Sequence, residues 1–342
     1  MELDNDLLLK MKDLHVHFMT REGVVQALNG VNLEIVNGEA LGLVGESGCG
    51  KSVTAQAILR IIPRPGKILR GRILFRRKNG TVAELTQMED HSSQIIDIRR
   101  KDISIIFQEP MTALSPVHTI GNQIIEAICL EREITRKEAR ERAIAMLDLV
   151  GVPNPKFRID SYTFELSGGM RQRAMIAMAL SSHPNLLIAD EPTTAVDVTI
   201  QAQILELIQK LRQELRMSTL IITHNLGMVA ELADRVAVMY LGRIVEKAST
   251  ADIFHDPRHP YTQGLINSIP KLSNPRGEKL WAIKGMVPSP YTKIYGCVFH
   301  RRCHKFMPGI CDKIVPQTIE IVSGHVVDCL LYGGVNEGRN YD

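Results

Sequence analysis

The spacing of hydrophobic positions changes along the chain, and the changes mark out its elements. Leu7 to Phe18 alternates in part and predicts a strand; Gly23 marks a turn, and Val31 to Ile35 alternates again. Asn37-Gly38 is a turn signal ahead of Leu41 to Val44, a short apolar run that ends on a glycine-rich loop. Helical spacing follows from Val53 to Ile62, until Pro63 and Pro65 stop it. Ile103 to Phe107, Leu186 to Ala189 and Thr219 to Ile222 are short apolar runs of the kind found in a parallel sheet covered on both faces. Ile120 to Val150 and Ile200 to Leu215 read as helices, with Glu131 to Arg142 a charged, solvated face. Val236 to Tyr240 and Ile244 to Glu246, around Gly242-Arg243, predict a hairpin. At His255-Asp256-Pro257-Arg258-His259-Pro260 the pattern changes to a loop signal, after which prolines recur and long periodic segments are scarce. Strands alternating with helices predict an α/β fold over residues 1–254, and residues 255–342 a small loop-rich extension.

Composition narrows this only a little. The 342 residues are 44% hydrophobic and 23% charged, which fits a globular chain with a real core and excludes bulk disorder. A net charge of +3 gives no ground for a nucleic-acid partner. No apolar run approaches the roughly 18–20 residues of a membrane-crossing helix, and Met1 to Lys10 begins acidic, so no secretion signal is expected. A soluble subunit results, and any work at a membrane requires docking on another chain that crosses it.

The chemistry lies at the ends of the apolar runs. Gly45-Glu46-Ser47-Gly48-Cys49-Gly50-Lys51-Ser52 fits the G-x-x-x-x-G-K-[ST] phosphate loop, between a predicted strand and helix as that loop requires. Glycines let backbone N–H groups converge on phosphate oxygens, and the following helix adds its dipole. Lys51 supplies charge to the β/γ phosphates and Ser52 an oxygen to Mg²⁺. Cys49 stands at a variable position and reads as a small filler. Leu186-Leu187-Ile188-Ala189-Asp190-Glu191 is an apolar strand ending in two acids; Asp190 is placed to hold Mg²⁺ and Glu191 to polarise the attacking water. Leu166-Ser167-Gly168-Gly169-Met170 opens a helix and offers a second anion site.

These motifs in this order resemble the ATP-binding-cassette (ABC) family, whose signature reads LSGG. The resemblance covers about residues 7–250 and implies a P-loop NTPase cassette: a mixed RecA-like core sheet, an antiparallel β subdomain, and an α-helical signature subdomain at about 109–170. It implies that Ser167, Gly168 and Gly169 contact the γ-phosphate held by the opposite subunit, and that Phe18 stacks on adenine. Gln108 resembles the glutamine that touches Mg²⁺ and water, Asp197 the loop aspartate that couples the two sites, and His224 the switch histidine. Val196 and Asn225 depart from the usual Leu and Asp; the second removes a charge beside His224.

Three stretches resemble one branch, the dipeptide/oligopeptide import ATPases of the D type: Phe107 to Pro116, Glu191 to Ile204, and His259-Pro260-Tyr261-Thr262-Gln263-Gly264-Leu265. The resemblance implies a peripheral subunit on the cytoplasmic face of the membrane. Its expected partners are a second, different ABC ATPase, two transmembrane permease subunits and an external substrate-binding protein. Relatives in that branch carry nickel or sugars, so those cargoes stand as alternatives. A soluble cassette acting on DNA or ribosomes is a further one, disfavoured by a single cassette with about 114 residues between Ser52 and Ser167.

The extension holds Cys297-x5-Cys303-x7-Cys311-x17-Cys329. Four thiolates suit a tetrahedral Zn²⁺ or a four-iron cluster. No C-x2-C pair occurs, and the wider spacing turns the reading towards iron–sulfur; resemblance to the branch's C-terminal extension implies a [4Fe-4S] cluster in some members. His300, His304 and His325 are interleaved as alternative ligands. Free thiols in a small core are the bland reading.

Overall fold

The computed structural model describes residues 3–108, 113–131, 134–193, 198–269 and 283–333. In chain order the elements are β1 (Leu7–Thr20), β2 (Gly23–Val36), β3 (Ala40–Val44), α1 (Lys51–Leu59), β4 (Gly66–Arg76), β5 (Val82–Glu84), α2 (Ser93–Lys101) and β6 (Ile103–Ile106). There follow α3 (Ile120–Glu131), α4 (Arg136–Leu149), α5 (Pro155–Arg158), α6 (Gly168–Leu180), β7 (Leu186–Asp190), α7 (Val198–Leu215) and β8 (Ser218–Thr223). The chain continues through α8 (Leu226–Leu232), β9 (Arg235–Tyr240), β10 (Arg243–Ser249), α9 (Thr250–His255), α10 (Pro260–Asn267), β11 (Ile319–Val322) and β12 (His325–Val327).

The apolar runs behave as buried parallel strands. Every residue of β3, β7 and β8 is buried. These strands, with β6 and β9, run parallel in an eight-stranded sheet of order β11-β12-β10-β9-β3-β8-β7-β6. The predicted hairpin is β9–β10, with Tyr240 opposite Arg243. A separate four-stranded antiparallel sheet, β2-β1-β4-β5, packs on the first through Leu8, Leu14, Leu33 and Phe75 in a core shared with α1 and β3. The helical segment makes its own core, in which Ile124 of α3, Leu147 of α4, Ile176 of α6 and Ile208 of α7 are each nearly inaccessible. Thr135 and Glu138 start α4 with a reciprocal capping box.

Two elements differ from the sequence expectation for identifiable reasons. Helix α1 stops at Leu59, ahead of the prolines: Arg60 is left-handed, and Arg99 donates to the terminal carbonyls of Leu59 and Arg60 at 2.6 Å each. Strand β2 begins at Gly23 and pairs with the whole of β1, but register shifts at Met11/Leu14 and Val16/His17 break the alternation that would have shown it.

The extension is loop-rich, yet it adds β12 and β11 to the main sheet beyond β10. Its core is continuous with that of the cassette: Val44, Val238 and Tyr240 pack in one cluster with Tyr261, Cys297, Phe299 and Cys311. His259, 1% exposed, caps α10 by accepting the Tyr261 N–H on Nδ1 at 3.0 Å. Burial pushes its pKa down from 6.5 to about 3. The unfolded chain therefore takes up this proton first as pH falls, so the associated stability is complete above about 6.5 and is lost on the way down towards 3. At pH 5 the loss amounts to about 2 kcal/mol. Thermal unfolding at pH 7 and pH 5 is expected to show that fall, and His259→Asn, which keeps a capping acceptor, is expected to flatten it.

Candidate functional site

The carboxyl ends of the parallel strands converge on one crevice, the place where open α/β sheets bind ligands. Strand β3 delivers Gly45 to Ser52 there, β6 delivers Gln108, β7 delivers Asp190 and Glu191, and β8 delivers His224. Sterics require glycine at two loop positions. A Cβ at Gly45 would stand 2.2 Å from the Met239 carbonyl oxygen; one at Gly50, where φ is 109°, would stand 2.6 Å from that of Ala27. Lys51 is 6% exposed and folds back over the loop, donating to the carbonyls of Gly45 at 2.8 Å and Glu46 at 3.1 Å.

Glu191 holds the centre of the crevice. Its Oε2 accepts from Gln108 Nε2 at 3.0 Å and its Oε1 lies 2.9 Å from His224 Nδ1. The His224 side chain is otherwise largely exposed. The Glu191 backbone is left-handed, φ 47°, a strained conformation for a residue with a Cβ, and its N–H is tied to the Ile222 carbonyl at 2.8 Å. Asp190, one residue earlier, is buried, and burial pushes its carboxyl pKa up while Ser52 and Lys51 draw it back down. Its Oδ1 is buried with no hydrogen-bond partner. Two acids and an orphaned carboxylate oxygen beside a serine hydroxyl are a donor set that suits a hard divalent cation.

Gln108 and Glu191 open on a cleft of about 750 Å³. Phe18 lines it, as do Ser47, Gly48, Lys51 and Ser52. Phe18 is half-buried, and its ring edge lies where a Cβ on Gly66 would fall, 2.6 Å away. A wall that sequence reasoning missed comes from the extension: Ser289 to Ile294, with Tyr291 packed beside Gly23. No periodicity or motif marks that segment.

Ser167 and Gly168 do not line the cleft; both are exposed on the surface. Ser167 caps α6, accepting the Met170 N–H, and a Cβ at Gly168 would meet nothing within 4 Å. Gln172 on the same helix donates to the Pro192 carbonyl, which ties α6 to the segment after Glu191. Asn225 caps α8 by accepting from Gly227 N at 3.0 Å and Met228 N at 3.3 Å. An aspartate would make the same cap, so the missing charge leaves the local structure intact. Asp197 and Val196 lie outside the described residues.

The four extension thiols share one neighbourhood. Cys297, Cys311 and Cys329 are buried and Cys303 is half-buried. Burial pushes Cys297 up to about 12 and Cys329 up to about 11, and the other thiols of the set add to both. Among the described residues, however, no three or more His, Cys, Asp or Glu side chains are drawn together as a metal-holding group. Two of the three interleaved histidines are engaged elsewhere: His325 bonds Glu246 at 2.8 Å and His300 Nδ1 lies 2.8 Å from the Cys297 carbonyl oxygen.

Residues 28–194 match the ABC transporter family, and residues 245–311 the oligopeptide/dipeptide transporter C-terminal region. The chain is 50% identical over 325 residues to a probable peptide ABC transporter ATP-binding protein, y4tR, of Sinorhizobium fredii, covering 95% of each chain. It is 47% identical to the dipeptide transport ATP-binding protein DppD of Bacillus subtilis, covering 94% of each. Among solved structures it resembles the ATP-binding cassette MJ0796, a dimer in a post-hydrolysis state with ADP and Pi. That likeness has a TM-score of 0.63 at 25% identity and covers 71% of this chain and 99% of the other.

Proposed function

Because the chain belongs to the ATP-binding subunits of ABC transporters, in the branch that carries the oligopeptide/dipeptide transporter C-terminal region, we propose that it hydrolyses ATP to drive import of di- and oligopeptides. The observation that carries the reading is Glu191 held between Gln108 and His224 at the mouth of the phosphate loop.

Each residue has a part in this. The loop N–H groups and Lys51 receive the β- and γ-phosphates, and Phe18 stacks on adenine. Ser52, Gln108 and Asp190 hold Mg²⁺, which neutralises charge developing on the phosphates when bound; the orphaned Asp190 oxygen supports this. Glu191 accepts the proton of the attacking water, Gln108 helps place that water, and His224 reaches the γ-phosphate. Asp197 couples the two sites.

Ser167, Gly168 and Gly169 serve the γ-phosphate of a second subunit, a reading supported by the exposure of Ser167 and Gly168 away from this chain's own cleft. That subunit is a different ABC ATPase, and the pair docks on two permease subunits at the cytoplasmic face, fed by an external substrate-binding protein. No described helix is long and apolar enough to cross a membrane, which fits a peripheral place.

Uptake of labelled di- and oligopeptides into vesicles carrying the assembled transporter tests the reading. ATP-dependent uptake, abolished by Lys51→Ala, is expected. Uptake of nickel or an oligosaccharide instead would change the cargo, and peptide uptake indifferent to Lys51→Ala would remove the function.

For Cys297, Cys303, Cys311 and Cys329 we hold to a [4Fe-4S] cluster that clamps the extension. Cys297 and Cys311 buried in one core cluster with Cys303 packed against it, and Cys329 buried as well, support it. Anaerobically purified protein is expected to be brown, with about four irons per chain; zinc, or no metal at all, would overturn it.

A further inference from the structure

Arg302 lies on the turn between Cys297 and Cys303, 256 positions from the phosphate loop, yet its guanidinium closes on the Glu46 carboxylate. The contact is a two-bond fork, Nη1 to Oε2 at 2.6 Å and Nη2 to Oε1 at 3.0 Å. The arginine side chain is only 5% exposed. It is itself fixed on two further sides: Nε donates to the Lys284 carbonyl at 3.2 Å, and the guanidinium carbon lies 5.8 Å from the centre of the Tyr240 ring. Glu46 is held a second time at its backbone, whose N–H donates to the Tyr261 hydroxyl at 2.9 Å. Tyr240, Tyr261 and Phe299 pack together with ring centres 4.7–5.3 Å apart, so both holds share one rigid aromatic base.

The brace ends next to the phosphate-binding ammonium, since the Glu46 carbonyl accepts from Lys51 Nζ. Three glycines with positive φ, Gly45, Gly48 and Gly50, give this loop many alternative shapes if nothing holds it. A loop already in its receiving shape binds more tightly, because the ordering cost falls away from the binding step.

We propose that Arg302 is a positioning residue for nucleotide binding: through Glu46, the C-terminal extension holds the phosphate loop in the shape that receives the triphosphate. This rests on the reading of Gly45 to Ser52 as the phosphate cradle. Arg302 acts on the loop and not on the γ-phosphate, so its loss weakens binding and spares the chemical step. The planar fork is specific to arginine, and lysine offers only a point charge.

The test measures binding of a non-hydrolysable ATP analogue and of adenosine by the full chain, together with KM and kcat for ATP in the assembled transporter. Arg302→Ala and Glu46→Gln are each expected to raise the analogue Kd and the KM about tenfold, with kcat within about twofold and adenosine binding unchanged. Arg302→Lys is expected to fall between wild type and Arg302→Ala. The double variant is expected to be no worse than either single one, because both break the same contact. Glu46→Gln lies outside the extension and keeps its shape, so it decides the matter if Arg302→Ala fails to fold. An analogue Kd within twofold of wild type for Glu46→Gln, or effects that multiply in the double variant, would overturn the proposal. Lys51→Ala is run alongside: if it binds the analogue as wild type does, the phosphate-cradle reading fails, and not merely the brace.

Discussion

Glu191→Gln is expected to lower ATP turnover by about 10²–10⁴-fold while leaving ATP affinity within a few-fold of wild type. The amide keeps the size of the carboxylate and one of its two acceptor oxygens, so it can hold Gln108 or His224 as glutamate does and turns a donor towards the other. It also keeps a side chain that tolerates the left-handed backbone at φ 47° no worse than glutamate does. What it loses is the capacity to take a proton from water. A variant that binds and does not turn over should accumulate the ATP-bound pair of subunits, visible as a larger species in size-exclusion chromatography with MgATP and absent without it. Turnover within threefold of wild type would take the proton-accepting role away from this residue.

Lys51→Ala acts one step earlier. Lys51 Nζ donates to the Gly45 and Glu46 carbonyls, so ATP must offer it better acceptors. Phosphate oxygens do so: bonds from the ammonium to neutral carbonyls give way to bonds to charged oxygens, a gain of about 3 kcal/mol for the two together. That corresponds to a rise in the ATP Kd of about 10²-fold. Removing a side chain that is 6% exposed also leaves its space empty, which loosens the loop further. Equilibrium binding of labelled ATP measures the first effect, and loss of vesicle uptake follows from it. An unchanged Kd would remove the reading of Gly45 to Ser52 as the phosphate cradle.

The parts of the molecule legible in the sequence are those whose signal is local. The buried strands β3, β7 and β8 show as short apolar runs because every residue in them is inside. The phosphate loop shows because its glycines are imposed by backbone contacts such as Met239 on Gly45, and its lysine and serine by charge. Strand β4 was hidden: Gly66–Arg76 carries four basic residues, and its apolar residues fall in adjacent groups, Ile68-Leu69 and Ile73 to Phe75, that do not alternate. Arg302 and the 289–294 wall were hidden for another reason. Their partners lie more than two hundred positions away, and nothing near them in sequence tells an arginine that pairs from one that is solvated. Tyr261 stands between these cases, inside a stretch that marked the branch, but its hydroxyl's partner was visible only once the fold brought Glu46 to it.

The placement of β12 beside β10 bears on how the chain is made. Synthesis runs from the N-terminus, so β10 emerges well before Val326 and Val327, which pair with Lys247 and Glu246. Until then the outer edge of β10 has open backbone groups, and an unpaired edge is a template for association with other chains. Glu246 is 1% exposed in the finished protein, where it accepts from the backbone of Arg258 and His259 and bonds His325. Its buried charge therefore waits on the last tenth of the chain for its final partner. A product truncated before β12 is therefore left with an open sheet edge at β10, a seam prone to association with other chains.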